Sequence, residues 1–113
     1  MHELSLAIRL VSLVEEEASR AACTKVSTVT VRLGALSCVE PSSLQLAFLA
    51  ARRDTIAASA QLIIESVPAH AVCLSCEASM EVTQRASPCP ICGAFALVVS
   101  GGDELRLSRL EVV

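Results

Sequence analysis

The chain has no tryptophan and no tyrosine, and its only aromatic residues are Phe48 and Phe95. That removes the stacking platforms on which single-stranded nucleic acids are usually held. It also leaves a small protein without bulky rings for its core, so that a metal staple would help it. Basic charge is scarce as well: nine Lys and Arg stand against twelve Asp and Glu, a net charge of −3. Such a balance argues against non-specific binding to nucleic acid or to an anionic membrane, and ordinary solubility accounts for it. Long apolar runs are missing too. The longest uncharged stretch, residues 86–102, contains Pro88, Pro90, Cys89, Cys92 and three glycines, and cannot be one spanning helix. Near the start, His2, Glu3 and Arg9 interrupt the apolar residues and Glu15-Glu16-Glu17 follows, which is no secretory signal. A reducing cytoplasm is therefore the expected location. No phosphate loop and no paired nucleophile and base stand in the sequence, so no enzyme is expected.

What is present is cysteine, six in 113 residues. Cys73 and Cys76 form one C-x2-C pair, Cys89 and Cys92 another, with twelve residues between them. Each pair can sit on a turn, and four thiolates make a closed tetrahedral site for Zn²⁺. In Cys89-Pro90-Ile91-Cys92-Gly93, the proline stiffens the loop and the glycine permits a backbone turned toward a metal. Two disulfides would need an oxidising compartment, for which nothing speaks. The same knuckle also holds a single redox iron, so iron stays open. A closed four-thiolate site has no free position for water and stabilises structure without performing chemistry. Cys23 and Cys38 are left over, and read as small core residues.

Length allows one compact domain or two very small ones. Leu4, Ile8, Val11, Val14 and Ala18 recur as one helix face, widened by Leu6, Leu10 and Leu13. Val29, Val31 and Leu33 then alternate with Thr28, Thr30 and Arg32, a half-buried strand ended by Gly34. Pro41 preceded by Glu40 signals a second helix. Leu44, Phe48 and Ala51 form its inward stripe, Leu46, Ala47 and Ala50 widen it, and Arg52-Arg53 suit its end. Residues 61–67 read as a second strand, closed by Pro68. Short strands at residues 80–82 and 96–99 fall between the knuckles. Leu105, Leu107, Leu110 and Val112 make a last strand with an irregularity near Ser108. That strand has no core of its own and belongs beside the earlier ones. The cysteine module is then an insertion hung from a small α/β domain: residues 1–67 plus 103–113 form the first domain and residues 68–102 the second.

Several local strings coincide with this plan. The chain opens Met1-His2-Glu3-Leu4-Ser5-Leu6 and continues Leu33-Gly34-Ala35-Leu36-Ser37-Cys38-Val39-Glu40-Pro41-Ser42-Ser43-Leu44. The two knuckles follow, then Gly102-Asp103-Glu104-Leu105-Arg106-Leu107 and Leu110-Glu111-Val112. Together, in order and over essentially the whole chain, these resemble the HypA/HybF family of nickel metallochaperones. The resemblance implies an α+β fold: two helices on a small antiparallel sheet as a nickel domain, with an inserted rubredoxin-like or zinc-ribbon knuckle domain. It implies delivery of Ni²⁺ to the maturing large subunit of [NiFe]-hydrogenase together with a HypB-type GTPase. Some members also feed urease, and urease maturation proteins are then partners.

The chemistry of such a terminus can be rebuilt from its residues. A free amine on Met1, the amide nitrogen of His2 and its imidazole Nδ1 can close fused chelate rings, a nitrogen-rich set that suits Ni²⁺. Glu3 can complete the site or can serve the first helical turn by opposing its dipole. The resemblance adds Glu40 as a further oxygen donor, beside its role at a helix start. Amide and imidazole donors bind in competition with protons, so affinity should fall with pH. A looser set of six N and O donors fits the residues equally well. The residues expected to bind metal are thus His2, with Met1, Glu3 and Glu40, for nickel, and Cys73, Cys76, Cys89 and Cys92 for zinc. His70, three residues before Cys73, reads as a solvated loop histidine more readily than as a group tuning the zinc. Rival readings are a nucleic-acid-binding ribbon, a rubredoxin-like electron carrier and a zinc-stapled protein-interaction module without nickel transfer. Monomers and homodimers both fit the sequence.

Overall fold

The computed structural model describes residues 2–113. The elements follow in the order α1 (Glu3–Arg20), β1 (Val26–Gly34), α2 (Pro41–Ala51), β2 (Gln61–Val67), β3 (Ala69–Cys73), β4 (Ser79–Val82), β5 (Leu97–Ser100) and β6 (Leu105–Val112). Two three-stranded sheets result, ordered β2-β1-β6 and β4-β3-β5. The architecture is α+β, two helices with small antiparallel strand pairings and a four-cysteine knuckle. Contacts divide the chain into two compact units. One holds the chain up to Arg32, Val39–Glu65 and Arg106–Val113; the other holds Leu33–Cys38 and Ser66–Leu105.

The first unit buries Ala7, Leu10, Val11, Val14 and Ala18 of α1, Leu44 and Phe48 of α2, Val26, Val29 and Val31 of β1, and Leu62 of β2. Phe48 is the one ring in this core, which is otherwise built from Ala, Val and Leu. Leu4 and Ile8, expected inside, are exposed, and the buried stripe of α1 runs through Glu3, Ala7 and Leu10 instead. The helix carries apolar residues on more than one face, so spacing alone could not choose between two stripes that share Val11, Val14 and Ala18. Leu46 of α2 is likewise exposed, at 69%. Pro41 opens α2, Glu40 caps it in an extended conformation, and the Glu40 carbonyl accepts the Leu44 N–H at 3.0 Å.

Strand β1 starts at Val26, two residues earlier than its alternation suggested, and Thr30 is buried on its second face. The central place of β1 in its sheet explains the burial. Strand β6 runs antiparallel to it: Val113 donates to the Lys25 carbonyl at 3.0 Å, and Ser27 Oγ donates to the Glu111 carbonyl at 3.1 Å. Along β6, Leu105 and Leu107 are half-buried, as is Leu110, so the parity of the inward face shifts near Ser108 as expected.

In the second unit, β3 is the central strand and was not legible beforehand. Pro68 does end β2, but the chain resumes at once. The inward residues of β3, Ala69, Ala71 and Cys73, are too small to give a clear apolar alternation. Residues 33–38 fold back onto this unit. The N–H groups of Gly34, Ala35 and Leu36 donate to the carbonyls of Glu104, Val67 and Gly102 at 2.7, 2.8 and 2.6 Å. A Cβ on Gly34 would lie 2.2 Å from the Gly102 backbone, so only glycine permits this approach. The Gly-Ala-Leu-Ser segment thus holds together the two places where the chain enters and leaves the knuckle. No helix is long and apolar enough to cross a membrane among the described residues.

Candidate metal centre

Cys73 closes β3 and Cys89 follows the loop after β4, and each begins the same turn. The Cys73 N–H donates to Ala78 at 2.9 Å and the Glu77 N–H to the Cys73 carbonyl at 2.8 Å. In the second knuckle the Cys89 N–H donates to Ala94 and the Gly93 N–H to Cys89, both at 2.8 Å. Each turn also aims an amide at its sulfur, Cys76 N–H to Cys73 Sγ at 3.5 Å and Ile91 N–H to Cys89 Sγ at 3.4 Å. The fifth residue of each turn is left-handed, Glu77 at φ 64° and Gly93 at φ 78°. The two knuckles are therefore the same backbone device used twice, although one of them lacks the glycine.

The four sulfurs lie within 4.8 Å of one another. Cys73 Sγ and Cys92 Sγ are 3.6 Å apart, Cys76 Sγ and Cys89 Sγ 3.7 Å. These separations far exceed the roughly 2.05 Å of a disulfide. They match the edge of a tetrahedron with metal–sulfur bonds of about 2.3 Å, close to 3.8 Å. The donor set fits a thiophilic divalent ion held without an open position. Cys73 and Cys89 are buried, and Cys76 and Cys92 are exposed.

Thiol acidity is uneven across the cluster. The Cys76 N–H, opposed by burial, leaves Cys73 below the ordinary thiol value. The Cys92 N–H, with that of Ile91, brings Cys89 down to about 7. The Ala78 N–H pulls Cys76 down, but burial and the neighbouring sulfurs of Cys73, Cys89 and Cys92 outweigh it and raise Cys76 to about 11. Crowding four potential negative charges together makes the last one costly unless a cation joins them.

His70 is a strand residue, not a loop residue. It sits on β3 opposite Glu81 of β4 and Ser100 of β5, exposed, on the face away from Ala69, Ala71 and Cys73. It is not among the clustered ligands. Cys23 is half-buried and Cys38 exposed, with a left-handed backbone at Cys38. The expectation that both are core residues fails for Cys38, because the turn after Gly34 carries it to the surface.

At the other end of the sequence, Met1 lies outside the described residues. His2 is the cap residue of α1; its carbonyl accepts the Leu6 N–H at 3.0 Å, and its exposed imidazole makes no capping bond. Glu3 begins the helix and is only 9% exposed, with no ion-pair or hydrogen-bond partner among the described side chains. Glu40 is exposed, and its Oε1 accepts Ser42 Oγ at 3.2 Å.

Helices packed on a small sheet, joined to a strand-borne knuckle of four converging thiols, define a two-unit metal-binding α+β protein. A family model described as "Hydrogenase/urease nickel incorporation, metallochaperone, hypA" matches residues 1–112. The hydrogenase maturation factor HypA 2 of Bradyrhizobium diazoefficiens is 46% identical over 99% of both chains. The hydrogenase maturation factor HypA of Rhodopseudomonas palustris is 46% identical over the same shares. The solution structure of the Ni metallochaperone HypA from Helicobacter pylori superposes with a TM-score of 0.71 at 27% identity, covering 100% of this chain and 98% of that one. The chain belongs to the HypA family of nickel-incorporation metallochaperones for hydrogenase maturation. The relatives are maturation factors, and membership ties the chain to the hydrogenase maturation machinery.

Proposed function

We propose that this chain carries Ni²⁺ at its amino terminus and hands it, with a HypB-type GTPase, to the large subunit of [NiFe]-hydrogenase, while Cys73, Cys76, Cys89 and Cys92 hold a structural Zn²⁺. The observation that carries the nickel site is the state of His2 at the start of α1. Its imidazole is exposed and engaged in no cap. The first N–H groups of a helix have no intrahelical acceptor, so the His2 and Glu3 amides are not committed to the helix. Nitrogen donors of that kind suit Ni²⁺, and the amine of Met1 completes the chelate.

A cation there meets the positive end of the helix dipole, a field that opposes it. The secluded carboxylate of Glu3 supplies the compensating charge, as a ligand or from just behind one. Glu40 starts α2, and its exposed carboxylate, which accepts a serine hydroxyl, can reorient toward an added donor position. Zinc fits the knuckle because four soft thiolates at tetrahedral spacing leave no position for water.

The test is a calorimetric Ni²⁺ titration of tag-free, zinc-loaded protein beside His2→Ala and a version with two extra N-terminal residues. One nickel per chain is expected for the native protein. Both variants should weaken it by roughly 100-fold or more, since even changes behind the ligands cost about 10–100-fold at metal sites. Zinc content should not change. If nickel binding is the same in all three, the terminus is not the site, and a zinc-stapled interaction module describes the chain better.

A further inference from the structure

Strand β1 lies between β2 and β6 in its sheet. It sends Val29 and Val31 into the core, and the alternation of a strand turns Thr30 and Arg32 to the other face. On that face lies a hollow of about 300 Å³ lined by Thr30 and Arg32 of β1, Glu65 of β2, and Ser108 and Arg109 of β6. All five residues are polar or charged. Consecutive residues of a regular strand point to opposite faces, yet Ser108 and Arg109 both line the hollow. The irregularity of β6 thus brings two donors where a regular strand brings one, as irregular strand positions do when they re-aim side chains.

The donors of this hollow are largely uncommitted. Thr30 is 1% exposed, and its Oγ1 has no hydrogen-bond partner among the described residues. A hydroxyl secluded without a partner destabilises the fold until something bonds to it. Arg109 makes no ion pair among the described residues. Arg32 reaches Glu65 only at 3.8 Å, with both side chains well exposed, and such a contact contributes little. Two guanidinium groups and two hydroxyls therefore stand against one carboxylate. One carboxylate without imidazole or thiol is a poor cation site, whereas guanidinium forks match the oxygens of an oxyanion. A tetrahedral phosphate has enough oxygens to engage all four donor groups together; a carboxylate has two.

We propose that this hollow binds a phosphate group, free or carried by a small phosphomonoester, with Arg32 and Arg109 on its oxygens and the Thr30 and Ser108 hydroxyls donating to them. The inference is independent of the nickel and zinc sites. Heteronuclear NMR of the full zinc-loaded, nickel-free chain tests it, with inorganic phosphate titrated in one arm and glycerol phosphate in the other at constant ionic strength. Saturable shifts centred on Thr30, Arg32, Ser108 and Arg109 are expected. Tighter binding of inorganic phosphate assigns the free anion, and equal or tighter binding of the ester assigns a carried group. Arg109→Gln should weaken binding roughly tenfold or more and Thr30→Val about fivefold, the loss of a charged and of a neutral donor. Glu65→Gln should tighten it by releasing Arg32. Arg53→Gln, the same charge change at an exposed position outside the hollow, should leave it native. Shifts that never saturate or that centre elsewhere overturn the proposal. So does native affinity in Thr30→Val, which would leave Thr30 an unpaired hydroxyl and no more. Should a variant lose its folded spectrum, the shift map of the native chain decides.

Discussion

Cys89 opens its knuckle turn and Cys76 ends the other one, and their acidities diverge widely. Cys89 receives amide hydrogen bonds that favour its thiolate and titrates at about 7. Cys76 has one such amide, outweighed by burial and by three neighbouring sulfurs, and titrates at about 11. Near neutral pH the metal-free knuckle therefore still holds a proton at Cys76, which a bound cation must displace. Zinc binding is expected to release at least one proton per ion, read by calorimetry in buffers of different ionisation enthalpy. The sign follows from thiolate being the ligand. Affinity should fall as pH drops through about 7, where Cys89 also takes up a proton, and rise on the alkaline side. A zinc enthalpy that is the same in every buffer would contradict this charge state. Sequence spacing identified the four sulfurs; it could not rank them, because their acidity depends on which amides the folded turns point at them.

The two turns of the knuckle carry a testable asymmetry at the level of the element. Glu77 stands where Gly93 stands in the second turn, and both are left-handed. A side chain in that conformation is strained, whereas glycine adopts it freely. Glu77→Gly is expected to stabilise the zinc-loaded protein by about 0.5–1 kcal/mol, the strain relieved less the larger entropy of glycine in the unfolded chain. Thermal unfolding at fixed zinc concentration measures this, and a lower midpoint would show that the Glu77 side chain makes a contribution larger than its strain. The offset of four residues from Cys73 to Glu77 and from Cys89 to Gly93 was visible in the sequence and is the signal that could have found it. Elements with a strong pattern, α2 with its Pro41 start and β2 with its Pro68 stop, were legible. Strand β3 was hidden because its inward residues are two alanines and a cysteine. The face of α1 was misjudged at Leu4 and Ile8 because apolar residues nearly surround that helix.

At the scale of the whole molecule, the two units differ in what holds them. The first has a continuous core around Phe48, Leu44, Val14 and the valines of β1. The second buries only Leu33, Leu36, Ala69, Ala71, Cys73 and Cys89, and exposes Leu74, Ile91 and Phe95, the last at 80%. So little buried apolar surface is a weak offset to the entropy of ordering the 46 residues of Leu33–Cys38 and Ser66–Leu105, and a metal on the four thiolates would supply the difference. Chelation of zinc is expected to abolish hydrogen-exchange protection in β3, β4 and β5 while α1, α2 and β1 keep theirs. Simultaneous loss in both units would show that the first depends on the second for its stability.

What the sequence determined by itself is the chemistry: which four sulfurs can share a metal, which histidine stands at the terminus, and where proline starts α2 and stops β2. Residue identity and short-range spacing carry those facts, and they survive any uncertainty about packing. Tertiary structure alone decided which stripe of α1 faces inward, that Leu33–Cys38 belongs with the knuckle unit through the backbone contact of Gly34 with Gly102, and that Glu3 is secluded beside His2. It also decided that β6 lies at the edge of its sheet, beside β1. Each of these depends on contacts between residues far apart in the chain, which local periodicity does not encode.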